Sequence, residues 1–320
     1  MRPDIPSFCP TKSAMCSTWI SWMNALCFSP VLQASAQFTL VPNPAPTEID
    51  TFMSTIEVLA AGESSVVYGV DGKRVVKEYT ITKNKEELIE RRAYQRLGSH
   101  PNIARCLGIT FSGSIILERG QALRTVSQRT NVAQIPLPRK IRWLRNIAEG
   151  LRHIHQKGIV HADVGCQNVI LVDPGDRAKI IDSDGCSIDG EDANACYEWF
   201  SYRRSMPRVS EQTDIFAYGC LVYEIITGRP PYEEFGTSDY RSYLVRQLYQ
   251  GAQFPAVSHL PLGPLMQGCW HGTFKSMTEV IQAVDLADRS NRKAKAKFRA
   301  ASIVGALKSS WTRHRWPSRS

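Results

Sequence analysis

The sequence predicts an α+β fold of two lobes: a small antiparallel five-stranded sheet lobe with one helix, and a larger, mainly helical lobe. Two observations carry this prediction. Short β-branched runs separated by glycine turns fill the first part of the chain, and apolar residues at helical spacing dominate the part after Gln121. With 320 residues, 43% apolar and 22% charged, the chain can build a sizeable core and is not a disordered protein.

Residues 1–50 are predicted to be a disordered leader that ends in a proline-rich linker at residues 41–46. Residues 14–32 are moderately apolar and precede an Ala-Ser-Ala sequence typical of signal cleavage, but several polar residues and Pro30 interrupt the run. The run therefore falls short of the ~20 apolar residues that a membrane span requires. The nine cysteines show no C-x-x-C pair and no zinc-type spacing, which fits a reducing compartment. We expect no true signal peptide, and a cytoplasmic location.

Residues 51–119 are predicted to form the small lobe. Turns at Gly62 and at Asp71-Gly72 separate β-branched runs, which predicts three antiparallel strands. A charged stretch rich in helix formers ends at Gly98, a typical helix stop. The predicted elements are three strands within residues 56–79, a helix at residues 83–97, and two further strands at residues 104–109 and 114–117.

Residues 120–288 are predicted to form the large lobe. Its first long helix begins near Pro138 and carries apolar residues at helical spacing. These residues are Ile141, Leu144, Ile147, Leu151 and Ile154. A second helix, at residues 214–227, is apolar on almost every face, which indicates burial inside a large core, and Gly228 ends it. Short strands are predicted at residues 159–160, 169–172 and 179–181.

Residues 289–320 are predicted to be a basic tail. From residue 286 onwards the chain carries ten Lys/Arg and one Asp, so the net charge of +9 belongs to this segment and the remainder is neutral. The charge therefore says nothing about a substrate, and no specific nucleic-acid binding is expected. Apolar residues at helical spacing would allow contact with an anionic membrane or an acidic partner, while a solvated, partly helical tail is the simpler alternative. These apolar residues are Ala296, Ala300, Ile303, Leu307 and Trp311.

Three separated segments carry residues suited to phosphate chemistry. The first combines Gly62, in a turn between strands, with Lys77 on the next strand, because backbone N–H groups at a glycine turn can approach phosphates that the lysine neutralises. In the second, Asp163 and Asn168 share one polar loop, where the Asp can accept a hydroxyl proton and the Asn can hold Mg²⁺. In the third, Asp182 ends a short strand and could bind a metal ion. Each segment alone also fits an ordinary hairpin or Asx turn, so the argument depends on their combination.

Together these segments resemble the eukaryotic protein kinase family over roughly residues 52–284, and they are similar to its divergent fungal members. Further family-like motifs follow in order: Asp-Ile-Phe-Ala-Tyr-Gly at residues 214–219, Thr-Gly-Arg-Pro-Pro-Tyr at residues 227–232, and Cys269-Trp270. The resemblance implies the two-lobed protein kinase fold, ATP and Mg²⁺ as cofactors, and a protein substrate that the sequence does not name.

The resemblance also implies roles by position. Lys77 looks like the strand lysine that acts in catalysis paired with Glu90, and Asp163 looks like the catalytic base. Asn168 and Asp182 look like the metal ligands. The residues implied to bind ATP are Gly62, Val67, Val75, Lys77, Glu90, Leu117 (the gatekeeper), Glu118 (the hinge) and Ile170. The residues implied to anchor the catalytic loop are His161 and Asp214.

Positions around these residues depart from the family pattern. Ala162 replaces the arginine that usually binds an activation-loop phosphate, which predicts activity independent of phosphorylation there. Gly165 stands where Ser/Thr kinases carry a lysine near the transferred phosphate, so a positive charge is lost. Ser183 replaces the phenylalanine of D-F-G, which removes an apolar contact. The other departures are Ala60 and Ser65 in the glycine loop, Val75 before the strand lysine, and Met206-Pro207-Arg208 in place of A-P-E.

This pattern predicts a slow protein kinase that is not regulated by activation-loop phosphorylation, with Ser/Thr favoured over Tyr as the acceptor. It fits equally a nucleotide-binding pseudokinase that acts as a scaffold. The residues implied to touch ATP or metal match the family pattern, while those implied to position or regulate them differ from it. A small-molecule phosphotransferase would share the H-x-D-x-x-x-x-N loop, but the helical-lobe motifs at residues 214–219 and 227–232 argue against it.

Overall fold

The computed structural model describes residues 57–62, 64–79, 84–129, 132–172, 176–194, 197–205 and 207–312, with side chains except at residues 84–87, 129, 133, 295 and 297–312. The predicted leader and linker, Met206 and the end of the basic tail lie outside these residues. Among the helices described, none combines the length and apolarity needed to cross a membrane.

The small lobe is built around an antiparallel sheet. Its strands are β1 (Glu57–Ala61), β2 (Ser65–Gly69), β3 (Arg74–Tyr79), β4 (Cys106–Ile109) and β5 (Ile115–Glu118). They lie in the order β1-β2-β3-β5-β4, and each neighbouring pair is antiparallel. The β2–β3 turn forms because the Asp71 carboxylate accepts hydrogen bonds from the amides of Lys73 and Arg74, both 2.7 Å long. The predicted five-stranded lobe is confirmed.

One helix, α1 (Asn84–Leu97), accompanies this sheet. It ends at Gly98, which has a φ of +61° and donates its amide to the Tyr94 carbonyl at 3.0 Å. Glycine adopts this left-handed conformation without the penalty of a Cβ, which is why it served as a stop signal in the sequence. Among the side chains described on this helix, the buried ones are those of Ile89, Glu90, Ala93, Tyr94 and Leu97.

The large lobe contains six α-helices and two small sheets among the described residues. The helices are α2 (Leu123–Arg129), α3 (Leu137–Gln156), α4 (Glu211–Thr227), α5 (Arg241–Gln250), α6 (Gly263–Trp270) and α7 (Met277–Thr312). The strands are β6 (Gln121–Ala122), β7 (Ile159–Val160), β8 (Val169–Val172), β9 (Arg177–Ile180) and β10 (Ser187–Ile188). They form an antiparallel β6-β8-β9 sheet and a β7-β10 pair.

Two helices form the centre of this lobe as the sequence predicts. Helix α3 has Pro138 in its first turn, and the five apolar residues expected to face the core are all buried. Helix α4 is capped by Ser210 and ends at Gly228, which has a φ of +82°. Gly219 allows helix α6 to approach α4 closely, because a Cβ there would lie 3.0 Å from the Trp270 ring. The family-like Cys-Trp pair therefore packs directly against the buried helix.

The last helix continues past the predicted boundary between the large lobe and the basic tail, which lies inside α7 at residues 288 and 289. Its first turns bury Met277, Val280 and Val284 in the core. An ion pair between Arg292 and Asp288, 2.6 Å long, then supports the helix one turn later. The tail side chains from residue 297 onwards lie outside the described residues, so contact with a membrane or an acidic partner stays a prediction.

Candidate active site

A buried lysine lies between the sheet and the helix of the small lobe. Lys77 is on β3, opposite the half-buried Val67 of β2. Its ammonium group, on a side chain only 6% exposed, lies 2.8 Å from the Glu90 carboxylate on α1 and 2.6 Å from that of Asp182, just after β9. A third carboxylate, that of Asp184, is 3.2 Å away. The structure thus brings three of the predicted residues into contact and adds a fourth that the sequence analysis did not select.

The charges in this cluster shift one another. Burial by itself would lower the pKa of Lys77, but the carboxylates of Asp182, Glu90 and Asp184 together hold that pKa well above its ordinary value. Burial raises the pKa of Glu90, while the charge of Lys77 opposes the rise. Tyr79 donates a hydrogen bond to Glu90, and burial raises the pKa of its phenol, so the phenol remains a donor. Three carboxyl groups therefore face one ammonium group, and their charges favour its protonated form.

The polar loop between β7 and β8 orients Asp163. Asn168 donates through Nδ2 to the backbone carbonyl and to the carboxylate of Asp163, at 2.8 and 3.0 Å. Gln167 donates to the other carboxylate oxygen at 3.3 Å. With its NH₂ group turned to Asp163, Asn168 keeps its side-chain oxygen for a cation. The Asn168 carbonyl accepts the amide of Ile181 at 3.0 Å, which places this loop beside the segment that carries Asp182.

Asp214, in the first turn of α4, holds the same loop from the core side. One oxygen of its fully buried carboxylate accepts from the His161 amide and from His155 Nε2, both at 2.9 Å. The other accepts from the Ala162 amide at 3.0 Å and from the Tyr197 hydroxyl at 2.7 Å. Burial would raise the pKa of Asp214, but the hydrogen bond and charge of His155 and the further donors outweigh it, so the pKa lies below its ordinary value.

One residue in each of these two loops has a strained backbone. Ala162 and Asp182 both have a φ of +66°, a left-handed conformation that residues other than glycine rarely adopt. His161 connects the two loops, since its ring Nε2 lies 3.0 Å from the carbonyl oxygen of Ile181. Asp214 fixes Ala162 from the other side, so the strained backbone is held by several contacts at once. Strained residues of this kind cluster at functional sites.

Three of the residues predicted to bind ATP lie around the connection between the lobes. Val75 on β3 and Leu117 on β5 are buried cross-strand partners. Ile170 on β8 lies directly beneath the connection, because a Cβ added to Gly120 would be 3.0 Å from its Cβ. Both lobes therefore contribute apolar side chains next to the connection, the kind of surface that binds a flat purine ring.

Glu118, predicted as the hinge residue, has its side chain and its amide occupied. Its carboxylate lies 2.6 Å from the ammonium group of Lys179, and both side chains are buried. Its amide donates to the Arg105 carbonyl at 3.0 Å. The next amide, that of Arg119, donates to the Lys73 carbonyl at 2.9 Å. The groups left for a purine are therefore the carbonyl of Glu118 and the backbone beyond the Arg119 amide.

The turn between β1 and β2 reaches the charged cluster. Gly62 donates its amide to the Ser65 carbonyl at 2.8 Å, which makes the turn tight. Within it, the Ser64 hydroxyl donates to the Asp184 carboxylate at 2.9 Å. The predicted phosphate-binding turn and the predicted metal-binding strand end are joined by this contact.

Asp184 and Gln167 are the candidates that the sequence analysis missed. Asp184 takes the third position of the D-F-G-like segment, and the Asp-Ser-Asp pattern was the available signal. One oxygen each from Glu90, Asp182 and Asp184 lie within 4.8 Å of one another. Carboxylate oxygens are the donors that Mg²⁺ prefers, so the residues present fit the metal ion that the fold implies. Gln167 gave no signal, because its contact with Asp163 depends on the loop conformation.

Comparison with known proteins covers most of this fold. A family model described as protein tyrosine and serine/threonine kinase matches residues 68–282. Among curated proteins, the chain is similar to "Mitogen-activated protein kinase kinase kinase 7" of Bos taurus, Mus musculus and Homo sapiens, in each case 25% identical over 222 residues and 63% of this chain. The chain spans only 35–37% of the length of these relatives.

Proposed function

The chain belongs to the family of protein tyrosine and serine/threonine kinases, and from this premise we propose that it transfers the terminal phosphate of ATP to a protein hydroxyl group. The observation that carries the proposal is that two groups of residues lie on loops joined by a hydrogen bond from the Ile181 amide to the Asn168 carbonyl. Lys77 is already paired with Glu90 and Asp182, and Asp163 is held by Asn168 beside them. Transfer needs both a phosphate-binding cation and a placed base.

In this proposal Lys77 binds the nucleotide phosphates and Glu90 keeps its ammonium group in place. Asn168 and Asp182 hold Mg²⁺, which when bound neutralises phosphate charge. Asp163 accepts the proton of the acceptor hydroxyl while the oxygen of that hydroxyl forms a bond to the terminal phosphorus of ATP. The bond from this phosphorus to the oxygen that bridges it to the next phosphate breaks, and ADP leaves. The hydrogen bonds from Asn168 to Asp163 support this assignment, because they direct the carboxylate before substrate binds.

A slow reaction is supported by the surroundings of Asp163. Gly165 has an extended backbone, with a φ of −173°, which any residue could adopt. A Cβ there would nevertheless lie 2.1 Å from Gln167 Oε1, so a neutral amide fills the space beside this position. We propose Ser/Thr as the acceptor, at a rate lowered by the missing positive charge, and losing one such electrostatic group typically costs about 10²–10³ in rate.

Independence from activation-loop phosphorylation is supported by contacts on α1. Arg92 binds Glu191 through two hydrogen bonds of 2.6 and 2.9 Å. Arg96 similarly binds Asp189, with one bond of 2.9 Å. Both acidic residues follow β10. Their carboxylates link the segment after β10 to α1, a link that a phosphate on the activation loop could otherwise provide. Each exposed ion pair contributes little stability by itself. Two such pairs, each with paired hydrogen bonds between an arginine and a carboxylate, restrict the position of the same helix.

A scaffold that binds nucleotide without transferring phosphate is the second candidate. It is favoured by the crowding at Lys77, where carboxylates occupy the positions that phosphates would take. Asp163 distinguishes the two functions, because nucleotide binding alone has little use for a base.

The test compares wild type with Asp163→Asn for labelled-phosphate transfer to the protein itself and to a generic protein substrate. We expect the variant to lose about 10²–10⁴-fold in rate, the usual contribution of a general base, while its ATP affinity is unchanged. Equal background transfer in both proteins, with normal ATP binding, would leave the scaffold as the function.

A further inference from the structure

We propose that Asp184 makes nucleotide binding at this site depend on a divalent cation. The inference rests on the proposed ATP site and assigns a role to a residue that takes no part in the transfer itself. Asp184 lies where three elements meet: the turn between β1 and β2, the lysine of β3 and the segment after β9.

The first step of the argument is the geometry at Lys77. The same Asp184 oxygen, Oδ2, accepts the hydroxyl of Ser64 at 2.9 Å and lies 3.2 Å from the Lys77 ammonium group. The Asp184 side chain is only 13% exposed, so water screens its charge poorly. A phosphate that approached Lys77 would therefore meet a carboxylate already in contact with the same ammonium group.

The second step is the charge balance. Glu90 and Asp182 also contact Lys77, at 2.8 and 2.6 Å, and one ammonium group can neutralise only one of these carboxylates. Negative charge is therefore in excess before any nucleotide arrives. The phosphates of ATP would add several like charges, which is unfavourable in a poorly screened site. A divalent cation held by Asp184 would neutralise part of this negative charge and turn the repulsion of the phosphates into attraction.

The third step separates the negative charge of Asp184 from the hydrogen bond that holds the β1–β2 turn against it. The hydrogen bond from Ser64 holds the turn down on Asp184, and nucleotide must displace it whether or not a metal ion is present. Removing the hydroxyl should therefore improve both modes of binding alike. Removing the charge of Asp184 should improve binding of metal-free nucleotide and weaken binding of metal-bound nucleotide, because the attraction through the cation is then lost.

The experiment measures ATP affinity by calorimetry, once in excess EDTA and once in excess Mg²⁺, for wild type, Asp184→Asn, Asp184→Gly and Ser64→Ala. Asp184→Asn keeps an oxygen that can accept from Ser64 and removes only the charge. Glu78→Gln is the matched control, because it removes one carboxylate next to Lys77 in sequence but on the opposite face of β3.

We expect wild type to bind ATP at least about tenfold more weakly in EDTA than in Mg²⁺, and both Asp184 variants to narrow that ratio by about tenfold, which equals about 1.4 kcal/mol. Ser64→Ala and Glu78→Gln should leave the ratio as in wild type. Equal wild-type affinity in EDTA and Mg²⁺ would overturn the inference, and so would an unchanged ratio in a folded Asp184→Asn. If wild type bound ATP in neither condition, the proposed function itself would fail.

Discussion

Replacing Asp214 by asparagine should destabilise the large lobe and detach the loop that carries Asp163. The buried carboxylate accepts four hydrogen bonds, two of them from the backbone amides of His161 and Ala162. The amide NH₂ of Asp214→Asn would face two of these donors. Tyr197 can reorient its hydroxyl, but a backbone amide cannot turn away. An unpaired buried donor costs about 1–3 kcal/mol and each bond to a charged acceptor contributes about 1.5–3, so we expect a loss of about 3–5 kcal/mol in the free energy of unfolding.

Urea unfolding followed by circular dichroism measures this loss. Because the folded pKa of Asp214 lies below its ordinary value of 3.8, its ionised form stabilises the fold fully above that pH. This contribution disappears as the pH falls through the folded pKa, so the gap between wild type and Asp214→Asn should be constant near pH 7 and shrink in strong acid. Glu234→Gln is the control, since it removes an exposed acid from the same lobe. A loss below about 1 kcal/mol at pH 7 would refute the reasoning, because even one unpaired buried donor costs that much.

Two further predictions concern the small lobe. Lys77→Met should abolish the stabilisation by saturating Mg²⁺-ATP, worth about 2–4 kcal/mol in a thermal-shift titration, while Lys73→Met, an exposed change in the β2–β3 turn, should retain it. Turnover of an active preparation should be unchanged by phosphatase treatment and should fall in Arg92→Ala, because the link from α1 to Glu191 is then lost. A large loss of turnover on phosphatase treatment would contradict the prediction and show that a phosphate on the segment after β10 supports activity.

Most elements of the fold could be predicted because their signals are local. The glycine stop at Gly98, the apolar repeat that follows Pro138 and the glycine after α4 each act within a few residues, and the structure places helix ends and buried faces accordingly. The end of the large lobe could not be predicted in the same way. The sequence changes there from apolar to basic, but Lys, Arg and Ala are strong helix formers, so a change of charge gives no stop signal and α7 continues.

The site was predictable to the extent that chemistry ties a residue type to a position in a motif. Lys77, Glu90 and Asp182 were selected in this way, and the structure brings their charged groups together. The contact of Asp184 with Lys77 joins residues 107 positions apart, and no spacing within either segment specifies it. Gln167 likewise reaches Asp163 only through the fold of its loop. Sequence patterns therefore selected residues that the structure brings together, but not the side chains that contact them from distant segments or through the fold of a loop.

Two positions that differ from the family pattern, Ala162 and Ser183, are both held through their backbone amides. Ala162 has lost the arginine side chain of the family, yet its backbone amide still binds Asp214. Ser183 has lost the aromatic ring, yet its amide still donates to the Glu90 carboxylate at 3.3 Å. At both positions a backbone group holds the loop, and backbone groups survive any substitution other than proline. The hydrogen bonds that hold these two positions therefore do not depend on the side chains that differ from the family pattern. The retained geometry is therefore what both a slow kinase and a nucleotide-binding scaffold would show, and only the demand for a base at Asp163 separates them.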